Sequence, residues 1–262
     1  MTTTTALTTT PASDYRLMQL DPASIAAALR DNIGDEGLKP SDLDRIAVPA
    51  GGATVWQVPT AAGPKNVESI EGVIVARKNA RAWWEGADPN GAPPDCAMKL
   101  DLDQFNERGE PLYAAFGVGR FGPSSSMNPS GKCNECPQNV WGSGKNGVGK
   151  GCKQKVALYI VRPTSMLPCV ISAPPTSLRA LRRYMIGGLA NEGFSFSDVI
   201  TRFSLTQKVS KAGQKYAEIT PLMVAPLSAD ERAKMRAYRD GLAGALLGGA
   251  SADSDATEMI DE

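Results

Sequence analysis

Three cysteines stand close together in a stretch too rich in glycine to pack a core of its own. Residues 132–155, KCNECPQNVWGSGKNGVGKGCKQK, place Cys133 and Cys136 two residues apart and Cys152 after a fifteen-residue gap, with Trp141 and five lysines in the same run. A two-residue gap lets two thiolates on one tight turn reach a single metal ion, and a third cysteine beyond a loop supplies another corner of a tetrahedron. The chain has no histidine, so the fourth ligand must be a cysteine, a carboxylate or water. Cys96 lies in the polar loop APPDCAM just upstream, whereas Cys169 lies in the apolar LPCVIS, where a thiol behaves as a small buried hydrophobe. The expectation is a structural Zn2+ held by Cys96, Cys133, Cys136 and Cys152, a closed set that leaves no open position for an activated water. Disulfides or thiols without metal are the plain alternatives. Four thiolates also suit an iron–sulfur cluster, although neither common ferredoxin spacing is present.

The charges around this loop point to an anionic ligand. Lysines plus arginines equal aspartates plus glutamates at 28 each, but the balance is uneven along the chain. Residues 251–262 carry five acids and no base, and between residues 120 and 162 seven bases face Glu135 alone. A basic centre with an acidic end fits binding to a polyanion and a tail that competes with it or recruits proteins. Binding a single strand takes cations along the backbone and aromatic faces for the bases. The candidate contacts are Arg81 and Trp83 on one face of a strand, Arg120, Trp141, Lys145, Lys150, Lys153 and Lys155 around the loop, and Arg202 and Lys208 on the polar side of a later strand. Each has a plain counterpart: one of the adjacent Trp83 and Trp84 belongs to a core, Trp141 can cover a metal site, and loop lysines can be solvated surface.

Catalysis fares poorly. Without histidine the commonest general base is missing, and no paired carboxylate motif stands out. GKNGVGKG at residues 144–151 approaches the phosphate-loop pattern through Gly144, Gly149 and Lys150, but Gly151 replaces the hydroxyl residue that ligates magnesium, and no buried strand precedes it. The expectation is a protein that is not an enzyme; a nucleotide hydrolase and a zinc-stapled adaptor that binds only protein are the rivals.

The elements that must position these residues follow from pattern. MTTTTALTTTPAS lacks the basic and apolar regions of a signal peptide and reads as a disordered leader, 1–13. A cytoplasmic protein with reduced cysteines is expected, with no membrane span. Residues 14–66 open with a helix started by Asp21 and Pro22 and ended by Gly34, then run through turns with one β-like piece, TVWQVP. VESIEGVIVARKNARAWWEG predicts one long strand, or two around Lys78 and Asn79, followed by a loop and a polar stretch to Pro111. LYAAFGVGRFG, KVALYIVRP and LPCVISAPP read as further strands. PTSLRALRRYMIGGLANEG predicts an amphipathic helix with Leu178, Leu181, Met185 and Leu189 inward. FSFSDVITRFSLTQKVS alternates as a half-exposed strand, KAGQ turns it into KYAEITPLMVAP, and a Ser228 to Glu231 capping box opens a helix over 228–247 before the acidic tail 248–262.

From residue 67 the order is strands, a metal-stapled insertion, two strands, a helix and two strands. The fold class is therefore mainly β with flanking helices (α+β), with a core over 67–227 close to the OB plan, a five-stranded barrel with a helix between its third and fourth strands. This order, the four-cysteine staple and the glycine linker into an acidic tail resemble the single-stranded DNA-binding proteins of phages and mobile elements, over residues 67–262 and in architecture only. The resemblance implies that the chain coats and protects single-stranded DNA (with RNA left open) during replication or recombination. It also implies that residues 251–262 recruit replication or recombination proteins, and it is compatible with a homo-oligomer.

Overall fold

The computed structural model describes residues 15, 22–34, 42–83, 96–105, 111–116, 133, 135–210 and 213–247. The protein is mostly β with a few helices, an α+β chain. Its centre is one long strand, β4 (Ser69–Trp83), which pairs with three others. Near its start, Ser69–Gly72 lie against the strand Val199–Val209, here β9; from Val73 onward the partner is β7 (Lys153–Val161); at its end, Arg81–Trp83 also pair with β5 (Cys96–Phe105). All three pairings are antiparallel. β6 (Pro111–Phe116) continues beyond β5, and β8 (Cys169–Ala173) continues beyond β7. β1 (Arg45–Ala47) adds to β8 in parallel, β10 (Lys215–Pro226) forms a hairpin with β9, and β2 (Trp56–Val58) pairs with β3 (Lys65–Val67).

The partner change in β4 has a local cause. At Gly72 a Cβ would run into Ile160 Cγ2 and sit 2.6 Å from the Val161 carbonyl oxygen, so only glycine lets the three backbones approach there. A bulge between Ile74 and Ala76 then re-aims the side chains that follow.

Both faces of the central strands are buried. Along β7, Val156, Leu158 and Ile160 enter one cluster with Trp56, Phe203, Ile219 and Leu181, whereas Ala157, Tyr159 and Val161 enter another with Tyr15, Leu43, Leu227 and Met235. The first is the interior between the β4–β7–β8 and β9–β10 portions of the sheet. Trp56, fully buried, donates its indole N–H to the Phe203 carbonyl at 3.0 Å and so loses no hydrogen bond on burial. The second cluster is closed by the helix Ala229–Leu247 (α3) and by Tyr15.

The helix expected after Pro22 is present as α1 (Pro22–Ile33), followed by Gly34 at a φ of +65°. The capping box of α3 forms in both directions, Ser228 N–H to Glu231 Oε2 at 2.8 Å and Glu231 N–H to Ser228 Oγ at 3.3 Å. Of the two readings offered for residues 67–86, the single long strand is the one formed, β4 running through Lys78 and Asn79. Other expectations need correction. Besides β2, which lies in the expected TVWQVP, this part of the chain adds β1 and, running on into Val67, β3; a three-residue strand such as β1 is decided by the open edge of β8 and not by its own sequence. The polar stretch before Pro111 contains β5, whose sequence alternates Met98, Leu100 and Leu102 with Lys99, Asp101 and Asp103. The amphipathic helix is broken into a 3-10 turn (Pro175–Ser177), the α-helix Leu178–Arg183 (α2), a π-helical turn (Tyr184–Leu189) and another 3-10 turn (Ala190–Glu192). β9 is half-exposed only in its second half; Val199–Phe203 are buried on both faces. The leader 1–13 and the tail 248–262 lie outside the described residues.

Candidate metal and ligand loop

The end of β4 gathers the cysteines. Trp83 pairs with Cys96 at the start of β5, and Ala82 pairs with Lys153, the residue after Cys152, at the start of β7. Cys96 and Cys152 thus flank the same strand end, and the loop carrying Cys133 and Cys136 folds back over it. Cys136 precedes a 3-10 turn, Pro137–Asn139, in which the Asn139 N–H donates to the Cys136 carbonyl at 2.9 Å. Cys152 N–H donates to the Gln138 carbonyl at 2.8 Å, pinning the two ends of the loop together. Between them a tighter neck forms where Gly142 and Gly144 N–H groups both donate to the Gly149 carbonyl, at 2.7 and 3.2 Å. Gly149 holds a φ of +70°, the left-handed region that a side chain resists. Ser143 Oγ completes the closure by accepting the Gly151 N–H at 3.0 Å.

Arg81 is part of this loop. Its Nη1 donates to Asn139 Oδ1 at 2.5 Å and its Nη2 to Gln154 Oε1 at 3.2 Å, while Asn139 Nδ2 donates to the Cys133 carbonyl at 2.9 Å. Lys150 Nζ also donates to Asn139 Oδ1, at 3.0 Å. Two cations therefore converge on one neutral amide oxygen, an arrangement that costs energy unless negative charge lies close by.

The cysteines nearby would carry such charge only as metal-bound thiolates, because burial alone keeps them neutral. It pushes the Cys133 thiol up to about 11, with Cys96 and Cys136 adding to the rise and Arg81 opposing it. Burial likewise pushes Cys152 up to about 12; Arg81 opposes, and Cys133, Cys96 and Cys136 add. No disulfide joins any of the five cysteines, and among the described residues no three of the potential ligands converge as a ready metal-binding set. The four thiols thus share one electrostatic neighbourhood without closing around a common point. As a donor set they suit a soft dication: repulsion among thiolates resists their ionisation, and a bound cation would reverse that.

The tip of the loop points outward. Trp141 is 78% exposed, with Val140 at 59% and Val148 at 72%, an apolar knuckle that stands largely outside the packed core. Lys145 is exposed beside it, and Lys153 is exposed while donating to the Lys150 carbonyl at 3.0 Å. Lys155 is half-buried and has a partner.

The other expected contacts are placed differently. Trp83 is half-buried with its indole nitrogen against Gly151, inside the loop base. Arg202 is buried, its Nη2 2.5 Å from Glu71 Oε1 and its Nε donating to the same oxygen at 2.7 Å, so it presents no free face to a ligand. Lys208 is exposed but lies on β9, which pairs with the opposite end of β4. Arg120 lies outside the described residues. The residues that hold the loop, Asn139, Gln138, Ser143 and Gln154, were not singled out from sequence. Their signal was the polar pair that follows Cys-Pro, legible only once the loop is known to fold back on β4. GKNGVGKG leads from Lys150 into β7 and not into a helix, so it lacks the frame of a nucleotide-binding loop.

Among the described residues no helix is long and apolar enough to cross a membrane. Comparison with protein-family models, curated proteins and solved structures finds no match.

Proposed function

We propose that this chain is a single-stranded DNA-binding protein without enzymatic activity, whose cysteine loop is stapled by structural zinc and presents Trp141 to the bases. The observation that carries the reading is the 78% exposure of Trp141 on a pinned loop with Lys145 and Lys153 exposed near it. Base stacking on an exposed ring contributes about 1 to 3 kcal/mol per base, and neighbouring lysines follow the backbone. A rigid loop presents that ring at a lower entropic cost than a flexible one.

Zinc held by Cys96, Cys133, Cys136 and Cys152 is supported by the convergence of Arg81 and Lys150 on Asn139, since four thiolates around a dication carry net negative charge that these two cations offset. In this reading the metal is a staple and performs no chemistry. The OB plan is supported by the pairing order: β10, β9, β4, β7 and β8 are joined in that sequence, with the helical segment between β8 and β9. The cysteine loop then belongs to the long excursion between the first and second barrel strands. The outer face of β7 and β8, which OB folds use for oligonucleotides, is here covered by Tyr15, Leu43, Leu227 and Met235, and this favours the loop as the binding surface. Residues 251–262 would recruit replication or recombination proteins.

The test is a tryptophan-fluorescence titration of zinc-loaded protein with a mixed-sequence single-stranded oligonucleotide and with its duplex, at two salt concentrations. Preferential quenching by the single strand, lost in Trp141→Phe and weakened by salt, is expected. No response to either nucleic acid would sink the reading and leave Val140, Trp141 and Val148 as a protein-docking knuckle, the adaptor alternative.

A further inference from the structure

The helical segment after β8 carries a second charged surface, away from the loop and unused so far. Arg179, Arg182 and Arg183 are all exposed on α2, and their spacing of three and four residues puts them on one side of it, with Cβ atoms about 5 to 6 Å apart. Among the described residues no side chain takes the guanidinium of any of the three. Several other arginines are engaged, Arg81 with Asn139 and Gln154, Arg202 with Glu71, Arg236 with Asp198 and Arg239 with Asp240, and what sets the three apart is that they lie exposed together on one short helix.

The support behind the three is firm. Leu181 is 5% exposed and Leu189 1%, and Tyr184, 8% exposed, has its hydroxyl 2.7 Å from Thr201 Oγ1 on β9. α2 is thus anchored from behind by apolar contacts and a buried hydrogen bond, while its outer side offers only cations. One turn further along, Ile186 is 54% exposed.

We infer that Arg179, Arg182 and Arg183 form a phosphate-contacting comb for the same single strand; this rests on the nucleic-acid reading above. Guanidinium groups suit phosphate: they are weakly hydrated, always charged, and present paired N–H donors that match two phosphate oxygens. An anchored helix spares the backbone any ordering cost on binding, although the side chains still lose rotamer freedom, and like charges so close together are relieved by a polyanion.

The experiment compares zinc-loaded wild-type protein with the triple variant R179A/R182A/R183A and with the charge-keeping R179K/R182K/R183K. Each is titrated with a mixed-sequence single-stranded oligonucleotide over about 50 to 200 mM salt, with Trp141 fluorescence as the readout and thermal unfolding as the check of fold. Each phosphate contact on a single strand contributes about 0.7 to the slope of log affinity against log salt, so the alanine variant should lose about 2 from that slope while its quenching at saturation persists. The lysine variant should keep most of the slope. If wild-type protein binds and the alanine variant has the same slope, the comb is wrong and the binding function stands. If wild-type protein does not bind at all, the reading beneath it fails first. A slope unchanged in the alanine variant but altered by removing residues 251–262 would assign the comb to carboxylates, which also overturns the proposal.

Discussion

Arg81 shows how one residue changes meaning when its neighbours become known. In sequence it is a cation two positions from a tryptophan in a strand; in the fold its two nitrogens hold Asn139 and Gln154 beside Cys133 and Cys152. Arg81→Ala should weaken zinc retention by about 10- to 100-fold, the usual effect of removing a group that orients metal ligands. Arg81→Lys should restore little, because one ammonium cannot serve two acceptors in a fixed fork. Competition with a chromophoric chelator measures this, and wild-type retention in both variants would refute it. Cys169 is the counter-example, since its apolar surroundings were legible in LPCVIS. It is 2% exposed, donates its thiol to the Ile160 carbonyl at 3.4 Å, and is pushed by burial up to about 11, Arg162 pulling the other way. Because the folded value lies above that of an unfolded thiol, its stabilising contribution is complete below about pH 9 and is lost as pH rises through about 11, some 2 to 3 kcal/mol in all. The difference in stability between wild type and Cys169→Ala should therefore shrink across that window; a constant difference would show that the thiol is not held protonated.

At the scale of elements, what was legible and what was not divides by range. Local chemistry sufficed for α1, for the capping box of α3 and for the β9–β10 hairpin, whose turn closes with Ser210 N–H donating to Gln214 O at 2.8 Å and Gly213 at a φ of +79°. It did not suffice for Arg202, whose alternation with Val199, Phe203 and Leu205 reads as a solvent face. Both faces of that half of β9 are covered, so a cation there had to be paired, and Glu71 supplies the pair from β4. Nor does any local signal say that β4 changes partners at Gly72. The fold can be tested at that residue. Gly72→Ala places a methyl against Ile160 and the Val161 carbonyl, so one of the three strands must shift, at a cost of about 1 to 3 kcal/mol. Chemical denaturation measures it. Because the shift would pass along β4 to Arg81 and Trp83, the variant should also bind zinc less tightly, whereas a neutral substitution would mean that the strands are not packed this closely.

For the whole molecule the governing quantity is how charge is divided between the folded part and its acidic end. The chain is formally neutral, yet Asp253, Asp255, Glu258, Asp261 and Glu262 hold five of its negative charges within twelve residues, so a variant ending at Ala250 has a net charge of +5. If that acidic end reaches Lys145, Lys153 or the three arginines of α2, it acts as a competing polyanion at high local concentration. Removing it should tighten binding to a single strand at low salt, where the Debye length of about 30 Å at 0.01 M lets the tail be felt across the surface. The gain should vanish by about 1 M salt, where that length falls to about 3 Å. The same variant should lose any protein partners recruited through the tail, which separates the two roles in one molecule. Affinity measured from about 0.01 to 1 M salt with and without residues 251–262 decides the matter: parallel lines would mean that the tail never meets the basic surface, and weaker binding by the shortened chain would mean that the tail helps to hold the strand.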